Sequence, residues 1–482
     1  MLFEVGKKAT MENIDKKYES LRLQKLQRTC IKENIPVIII VDGWESSGKG
    51  YIINELVKDL DTKNYRVSVF DENSLTNTYS YSKQSWSFLP AYGDFRILYR
   101  SIYSRLFNKL DMDKKDQEKK IEYINNLERL LTDDHFIIIK YFIDIDEKDL
   151  KDNIDKLKDH EYMSFLVTKN DKDQLKKYDK YKKNMDEILE KTDFPFAKWN
   201  IIPSMSNKGK ARLVIKQTAD IIEENIDRVL KARYEDKEYR FNYKRKNYPI
   251  NKVDLNLEIS DKDYKEQISD LQKRAQDLSY KLYTEKIPTI MVFEGIDAAG
   301  KGGSIARLLR KIDPRLYGVN PTSAPNDLEK DHHYLWRFYN NFPDRGKMAI
   351  FDRSWYGRVM VERVEHFAND KEWSRAYEEI NMMEKELVDQ KVLLIKYNLV
   401  ISKDEQARRF EDRMKNKPYK ITDEDWRNRE KWDQYVESMN DMIELTSTSY
   451  APWILVASEN KKYARIKVLK EFIRRAEKIL DK

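Results

Sequence analysis

Thr289-Ile290-Met291-Val292-Phe293-Glu294-Gly295-Ile296-Asp297-Ala298-Ala299-Gly300-Lys301-Gly302-Gly303 is the stretch on which the fold turns. A short apolar run of β type delivers the chain into Gly-x4-Gly-Lys, and a helical pattern follows. Such a strand–loop–helix junction is built to hold phosphate. Its glycines let backbone N–H groups approach an oxyanion, the helix N-terminus adds its dipole, and a lysine adds a full charge. Gly295, Ala298, Ala299, Gly300, Gly302 and Gly303 are therefore the expected phosphate contacts, with Lys301 as a catalytic cation. Only 13 glycines occur in 482 residues and four fall here, so an incidental tight turn explains the stretch poorly.

The loop departs from the usual pattern in one place. Gly302 stands where a Ser or Thr ordinarily follows the lysine to hold Mg²⁺. Another oxygen ligand is required, and two carboxylates offer themselves: Asp297 inside the loop, and Asp352 at the end of Met348-Ala349-Ile350-Phe351. Both are expected to hold Mg²⁺, with Mn²⁺ as a substitute, and to serve catalysis. Arg353 beside Asp352 is the expected catalytic arginine. Arg358 and Lys420 are expected phosphate contacts, and the cluster Arg408, Arg409 and Arg413 is expected to offset phosphate charge as a closing lid does. For Arg408 and Arg409 a solvated helix face is an equally good account.

The chain also repeats itself. Glu33-Asn34-Ile35-Pro36, the apolar run 37–41 and Gly43-x4-Gly48-Lys49-Gly50 answer Glu285-Lys286-Ile287-Pro288, 289–293 and Gly295-x4-Gly300-Lys301-Gly302. Further pairs follow in order: Arg100-Ser101-x-Tyr103-x-Arg105 with Arg353-Ser354-x-Tyr356-x-Arg358, and Ala197-x-Trp199 with Ala451-x-Trp453. Short apolar β runs separated by long charged helices predict a parallel sheet with helices on both faces, twice over. The expected division is 1–245 and 246–482, within the polar segment 234–253.

The halves are not equal. Asp352 is matched by Tyr99, which is no carboxylate, and Arg408, Arg409 and Arg413 are matched by Asp152, Asn153 and Leu157. Gly43, Gly48, Lys49 and the carboxylate Glu45 persist. The first half is expected to be inactive, whether or not it still binds phosphate.

Charge and cysteine content narrow the setting. The 91 basic and 84 acidic residues leave +7, too mild and too evenly spread for a nucleic-acid binder. One cysteine, Cys30, excludes an internal disulfide and any zinc site needing two thiolates. The start carries Lys7-Lys8 and no apolar stretch, so neither signal peptide nor membrane anchor is expected, and a cytoplasmic protein is. Homo-oligomer formation is left open.

In these residues the chain resembles the polyphosphate kinase 2 family, specifically its fused two-domain members. The phrases are 293–303, Phe351-Asp352-Arg353-Ser354-Trp355-Tyr356-Gly357-Arg358, Tyr419-Lys420-Ile421-Thr422 leading to Asp425-Trp426, and Ala451-Pro452-Trp453. The resemblance implies a thymidylate-kinase-like α/β/α fold with a helical lid, and transfer of the terminal phosphoryl group of inorganic polyphosphate to AMP, giving ADP. It carries a metal role to Asp297 and Asp352 and a phosphate role to Lys301 and Arg353. The segment Lys415-Asn416-Lys417-Pro418 departs from the family's Pro-x-Lys spacing, which bears on the lid alone.

Rival readings are a polyphosphate-dependent nucleoside diphosphate kinase, an ATP-dependent nucleoside monophosphate kinase, and a non-catalytic polyphosphate- or GTP-binding protein. The last is prompted by Thr168-Lys169-Asn170-Asp171, which has the look of a guanine-reading motif. His332-His333 is assigned no ligand role, while Trp336-Arg337 is expected to approach the nucleotide.

Overall fold

The computed structural model describes residues 15–70, 80–416, 418, 421 and 423–481. It separates into two compact units, one built mainly from residues up to 234 and one mainly from residues after it. Residues 327–336 group with the first unit, which no composition shift signals.

The first unit carries β1 (Val37–Gly43), β2 (Tyr65–Val69), β3 (Phe95–Tyr99), β4 (Ile137–Ile143) and β5 (Trp199–Ile202) in the order β2-β3-β1-β4-β5. All four pairings are parallel. The second carries β6 (Thr289–Glu294), β7 (Tyr317–Pro321), β8 (Met348–Asp352), β9 (Leu393–Val400) and β10 (Trp453–Ala457) in the order β10-β9-β6-β8-β7, the same topology and again parallel throughout. The central strands β1, β4, β6 and β9 are buried at every residue. That is why they read as mostly apolar runs and not as alternation.

In the second unit, Met291, Phe293, Ile350, Ile395 and Tyr397 form the core with residues of the helices Asp261–Thr284, Lys301–Leu308 and Lys461–Leu480. The opposite face carries a buried ion pair. Lys396 Nζ donates to Glu384 at 2.7 Å, to the Tyr356 hydroxyl at 3.0 Å and to the Thr446 carbonyl at 2.8 Å. The first unit repeats it with Lys140, Glu128, Tyr103 and the Thr192 carbonyl. Every donor of each buried ammonium has a partner, the condition under which such a charge persists inside a protein.

Thr168-Lys169-Asn170-Asp171 does not read guanine. It is a helix start: Thr168 caps the helix Lys169–Lys176, and Asp171 returns a bond to the Thr168 backbone.

Candidate functional site

β6 ends at the phosphate loop, and Gly295 is required there because its φ is +134° and a Cβ would strike the Leu399 carbonyl of neighbouring β9. Side chains tie the loop's carbonyls back. Lys301 Nζ donates to the carbonyls of Gly295 (2.6 Å) and Ile296 (3.3 Å), Gln406 to that of Asp297 (3.2 Å), Arg409 to that of Ala298 (2.7 Å) and Ser458 to that of Ala299 (2.6 Å). Gly300 then opens the helix Lys301–Leu308 from the left-handed region. With the carbonyls engaged, the orphan N–H groups of the first helical turn are the loop's remaining hydrogen-bonding capacity. Burial, reinforced by the Arg353 charge, holds the Lys301 ammonium below its usual pKa, against the pull of Asp297, Asp352 and Glu294.

Arg353 follows β8 with φ +63°, an uncommon conformation for a residue with a side chain, and pairs with Asp297. Asn428 donates to the other Asp297 oxygen at 2.9 Å. Burial alone would raise the Asp297 pKa, but Arg353, Lys301 and Asn428 outweigh it and keep the group below the ordinary carboxylate range. Asp352 Oδ2 lies 3.8 Å from where a Cβ on residue 302 would stand. The glycine in place of the usual Ser or Thr therefore leaves the space beside this carboxylate open.

Two carboxylates thus flank the loop, and among the described residues no group of three or more His, Cys, Asp or Glu side chains stands ready to hold a metal. This donor set suits an ion such as Mg²⁺, which takes one or two carboxylates and fills its other positions with water and phosphate. Each Asp297 oxygen accepts one hydrogen bond, from Arg353 or from Asn428, and keeps a further lone pair for an ion.

Beside the loop opens a cleft enclosing about 550 Å³, counting the part continuous with solvent, lined by Glu294, Asp297 and Arg353 together with apolar residues that include Met360, Trp432 and Met439. Glu294 was missed in the sequence. It is almost fully buried, accepts from Ser354 Oγ at 2.8 Å, and burial pushes its pKa up to about 7 despite Ser354, Lys301 and Arg353. Its signal was a carboxylate closing an otherwise apolar run. Asn428 and Gln406 had no local signal.

The other expected phosphate and lid residues scatter. Arg409 is buried, and its guanidinium meets Glu405 (2.5 Å) and the carbonyls of Ala298, Ser458 (2.5 Å) and Glu459 (3.0 Å). It braces the loop from behind instead of facing a phosphate, because those carbonyls need a donor more than solvent does. Arg408 is exposed and paired with Glu405, Arg358 pairs with Glu362 at 2.9 Å, and Arg413 is half-buried on the helix Lys403–Asn416. Lys420 lies outside the described residues. Trp336 stacks on His332 with ring centroids 4.2 Å apart, and Arg337 donates to the Ser323 carbonyl at 2.9 Å. Neither is among the residues that line the cleft.

The first unit shows the same loop filled from within. Lys49 donates to the carbonyls of Gly43 (3.1 Å) and Trp44, and Arg100, also left-handed at φ +62°, pairs with Glu45 at 2.8 Å. There the likeness ends. Gln174 Oε1 accepts the Glu45 N–H at 2.9 Å, Lys210 donates to the Ser47 carbonyl at 3.0 Å, and Trp44 stacks on Tyr178 at 4.4 Å. Asp42, the counterpart of Glu294, takes hydrogen bonds from Ser101 and Ser104, and burial raises its pKa.

The sequence profile described as polyphosphate kinase 2 (PPK2) matches residues 7–229 and again 258–481. The chain is 34% identical over 454 residues to the polyphosphate:AMP phosphotransferase of Pseudomonas syringae pv. tomato, covering 90% of this chain and 89% of that one. It is 33% identical over 489 residues to the Pseudomonas aeruginosa protein of the same name, covering 97% and 96%. The crystal structure of a putative polyphosphate kinase 2 from Pseudomonas aeruginosa PA01 superimposes with a TM-score of 0.83 at 31% identity, over 99% of this chain and 98% of that one. Sharing the duplicated profile, the fold and nearly full-length similarity, the chain belongs to the polyphosphate kinase 2 family.

Proposed function

We propose that this chain is a polyphosphate:AMP phosphotransferase, moving the terminal phosphoryl group of inorganic polyphosphate to AMP to give ADP, with the chemistry confined to the second half. The observation that carries the reading is the pairing of one open phosphate loop, flanked by Asp297 and Asp352, with an adjoining cleft lined by both charged and apolar side chains. Near full-length similarity to relatives of that name supports the choice of donor and acceptor.

The AMP phosphate is an anionic nucleophile at neutral pH and needs no strong base. Its oxygen forms the new P–O bond as the terminal P–O bond of polyphosphate breaks, and the shortened chain leaves with the bonding pair. Lys301, once it exchanges its loop carbonyls for phosphate, and Arg353, at the junction of loop and cleft, offset the charge of the reacting groups. The cleft fixes the acceptor in line, so positioning supplies much of the rate. Asp297 and Asp352 would hold a divalent ion, Mg²⁺ or Mn²⁺ in its place, which would supply charge neutralisation when bound.

The test is ADP formation from AMP with long-chain polyphosphate and Mg²⁺, run beside a reaction in which ATP replaces polyphosphate. Product from polyphosphate alone supports the reading, whereas product from ATP alone makes this an ordinary nucleotide kinase.

A further inference from the structure

The second unit holds, on the strand next to Glu294, a buried polar side chain that the fold does not use. Asn398 in β9 is fully buried, yet neither its carboxamide nitrogen nor its oxygen meets a hydrogen-bonding partner among the described residues. Buried amides are almost always paired, and an unpaired one costs stability. Asn398 stands in register with Glu294 on the neighbouring parallel strand, so the two side chains leave the same face of the sheet. Glu294 lines the cleft and has one oxygen committed to Ser354.

The fold does not demand an amide at this position. In the first unit the residue in register with Asp42 is Phe142, whose ring packs on Phe107 at 5.3 Å and edge-on to Trp199 at 6.4 Å. By the repeat Arg100-x4-Arg105 against Arg353-x4-Arg358, Phe107 answers Met360, which lines the cleft. Two rings that fill the first unit are thus a flexible thioether and an unspent carboxamide in the second.

We propose that Asn398, together with Glu294, binds a hydroxyl group of the acceptor's ribose, which makes Asn398 a specificity-determining residue of the second half. A hydroxyl both donates and accepts, so it satisfies a carboxylate oxygen and a carboxamide N–H at once, directly or through one bridging water. The Arg353 guanidinium suits the phosphate, and a base suits the apolar lining supplied by Trp432 and Met439. The ribose, which links phosphate and base, is left to the carboxylate and the unspent amide. Met360 turns aside at little cost because an unbranched thioether has many rotamers. The inference rests on the reading that the cleft takes the nucleotide.

The experiment is calorimetric binding of AMP, 2′-deoxy-AMP and 3′-deoxy-AMP to the full chain, repeated with Asn398→Leu and with Met360→Phe, which restores the first unit's ring. The wild type is expected to bind AMP about 10- to 100-fold more tightly than one of the deoxy analogues, the cost of leaving buried polar groups unmatched. Both variants are expected to narrow that ratio to within about threefold, with the KM for polyphosphate unchanged and the Tm not lowered. AMP binding without ribose discrimination in the wild type overturns this inference alone, and so does an Asn398→Leu variant that keeps the wild-type ratio. No AMP binding at all overturns the cleft reading and this inference with it. If Asn398→Leu does not fold, the wild-type ratio and Met360→Phe still decide.

Discussion

Two loops of one design, at Gly43–Gly48 and at Gly295–Gly300, sit in sheets of identical order and share a left-handed arginine paired to a loop carboxylate. Around the first, Gln174 occupies a loop N–H, Lys210 a loop carbonyl, and Trp44, Tyr178, Phe107 and Phe142 fill the adjoining volume. Around the second, Asn428 donates to Asp297, and a cleft lined in part by Met360 lies open. What separates the halves is thus the space and the unspent polar groups beside the loop as much as the loop residues. Packing tolerates the filled form readily, since apolar rings satisfy themselves, whereas the open form keeps polar groups that nothing in the protein completes.

The sharpest way to break this contrast is at the carboxylate that only one half has. Asp352→Asn is expected to lower turnover by about three orders of magnitude in a polyphosphate-to-AMP assay, by loss of charge stabilisation. Tyr99→Asp, which supplies the missing carboxylate to the first half, is expected to leave residual activity in an Asp352→Asn background unchanged, because the space around that loop stays filled. Activity regained there would show that one residue, and not the surroundings, silenced the first half.

Next come the features the halves share. Lys396→Met and Lys140→Met each strand a buried glutamate, Glu384 or Glu128, and each is expected to cost about 3–5 kcal/mol in urea unfolding. Equal costs would confirm that the buried pairs serve the fold in both units. A loss of turnover from Lys396→Met without loss of stability would move that pair into the site.

Arg409→Ala separates a brace from a phosphate contact. Removing it leaves the Ala298, Ser458 and Glu459 carbonyls without a donor, so it is expected to destabilise by about 1–3 kcal/mol and to lower kcat with it. A raised KM for polyphosphate at unchanged stability would restore the lid reading.

Glu294 sets a pH dependence. Its pKa rises on folding from 4.5 to about 7, so the folded state holds the proton more tightly and its stability falls as pH rises between those values. Glu294→Gln is expected to gain in Tm relative to the wild type above pH 7, with the gap closing below pH 4.5. The smallest effect belongs to Lys49→Ala, which removes a loop lysine held by its own carbonyls. No measurable change in turnover is expected, whereas Lys301→Ala disables the enzyme.

Much of this was legible without coordinates. The β runs and helical periods specify a parallel α/β sheet twice, and the two Gly-x4-Gly-Lys phrases mark where each sheet meets its loop, because strand, turn and cap signals are local in the chain. Asp352 stood out through the repeat, since the first half carries Tyr99 at that position. Arg408 and Arg409 looked alike in sequence, yet one is solvated and the other braces the loop, because helical position alone does not say which carbonyls wait across the gap. Thr168–Asp171 matched a guanine-reading motif but closes a helix end. Glu294, Asn428 and Asn398 acquire meaning only when β6, β9 and the helices over them meet. The sequence alone determined the fold, the duplication and the chemistry of the loop. Tertiary packing decided which volume beside each loop is filled and which polar groups are left for a ligand, because space and hydrogen-bond satisfaction belong to residues far apart in the chain.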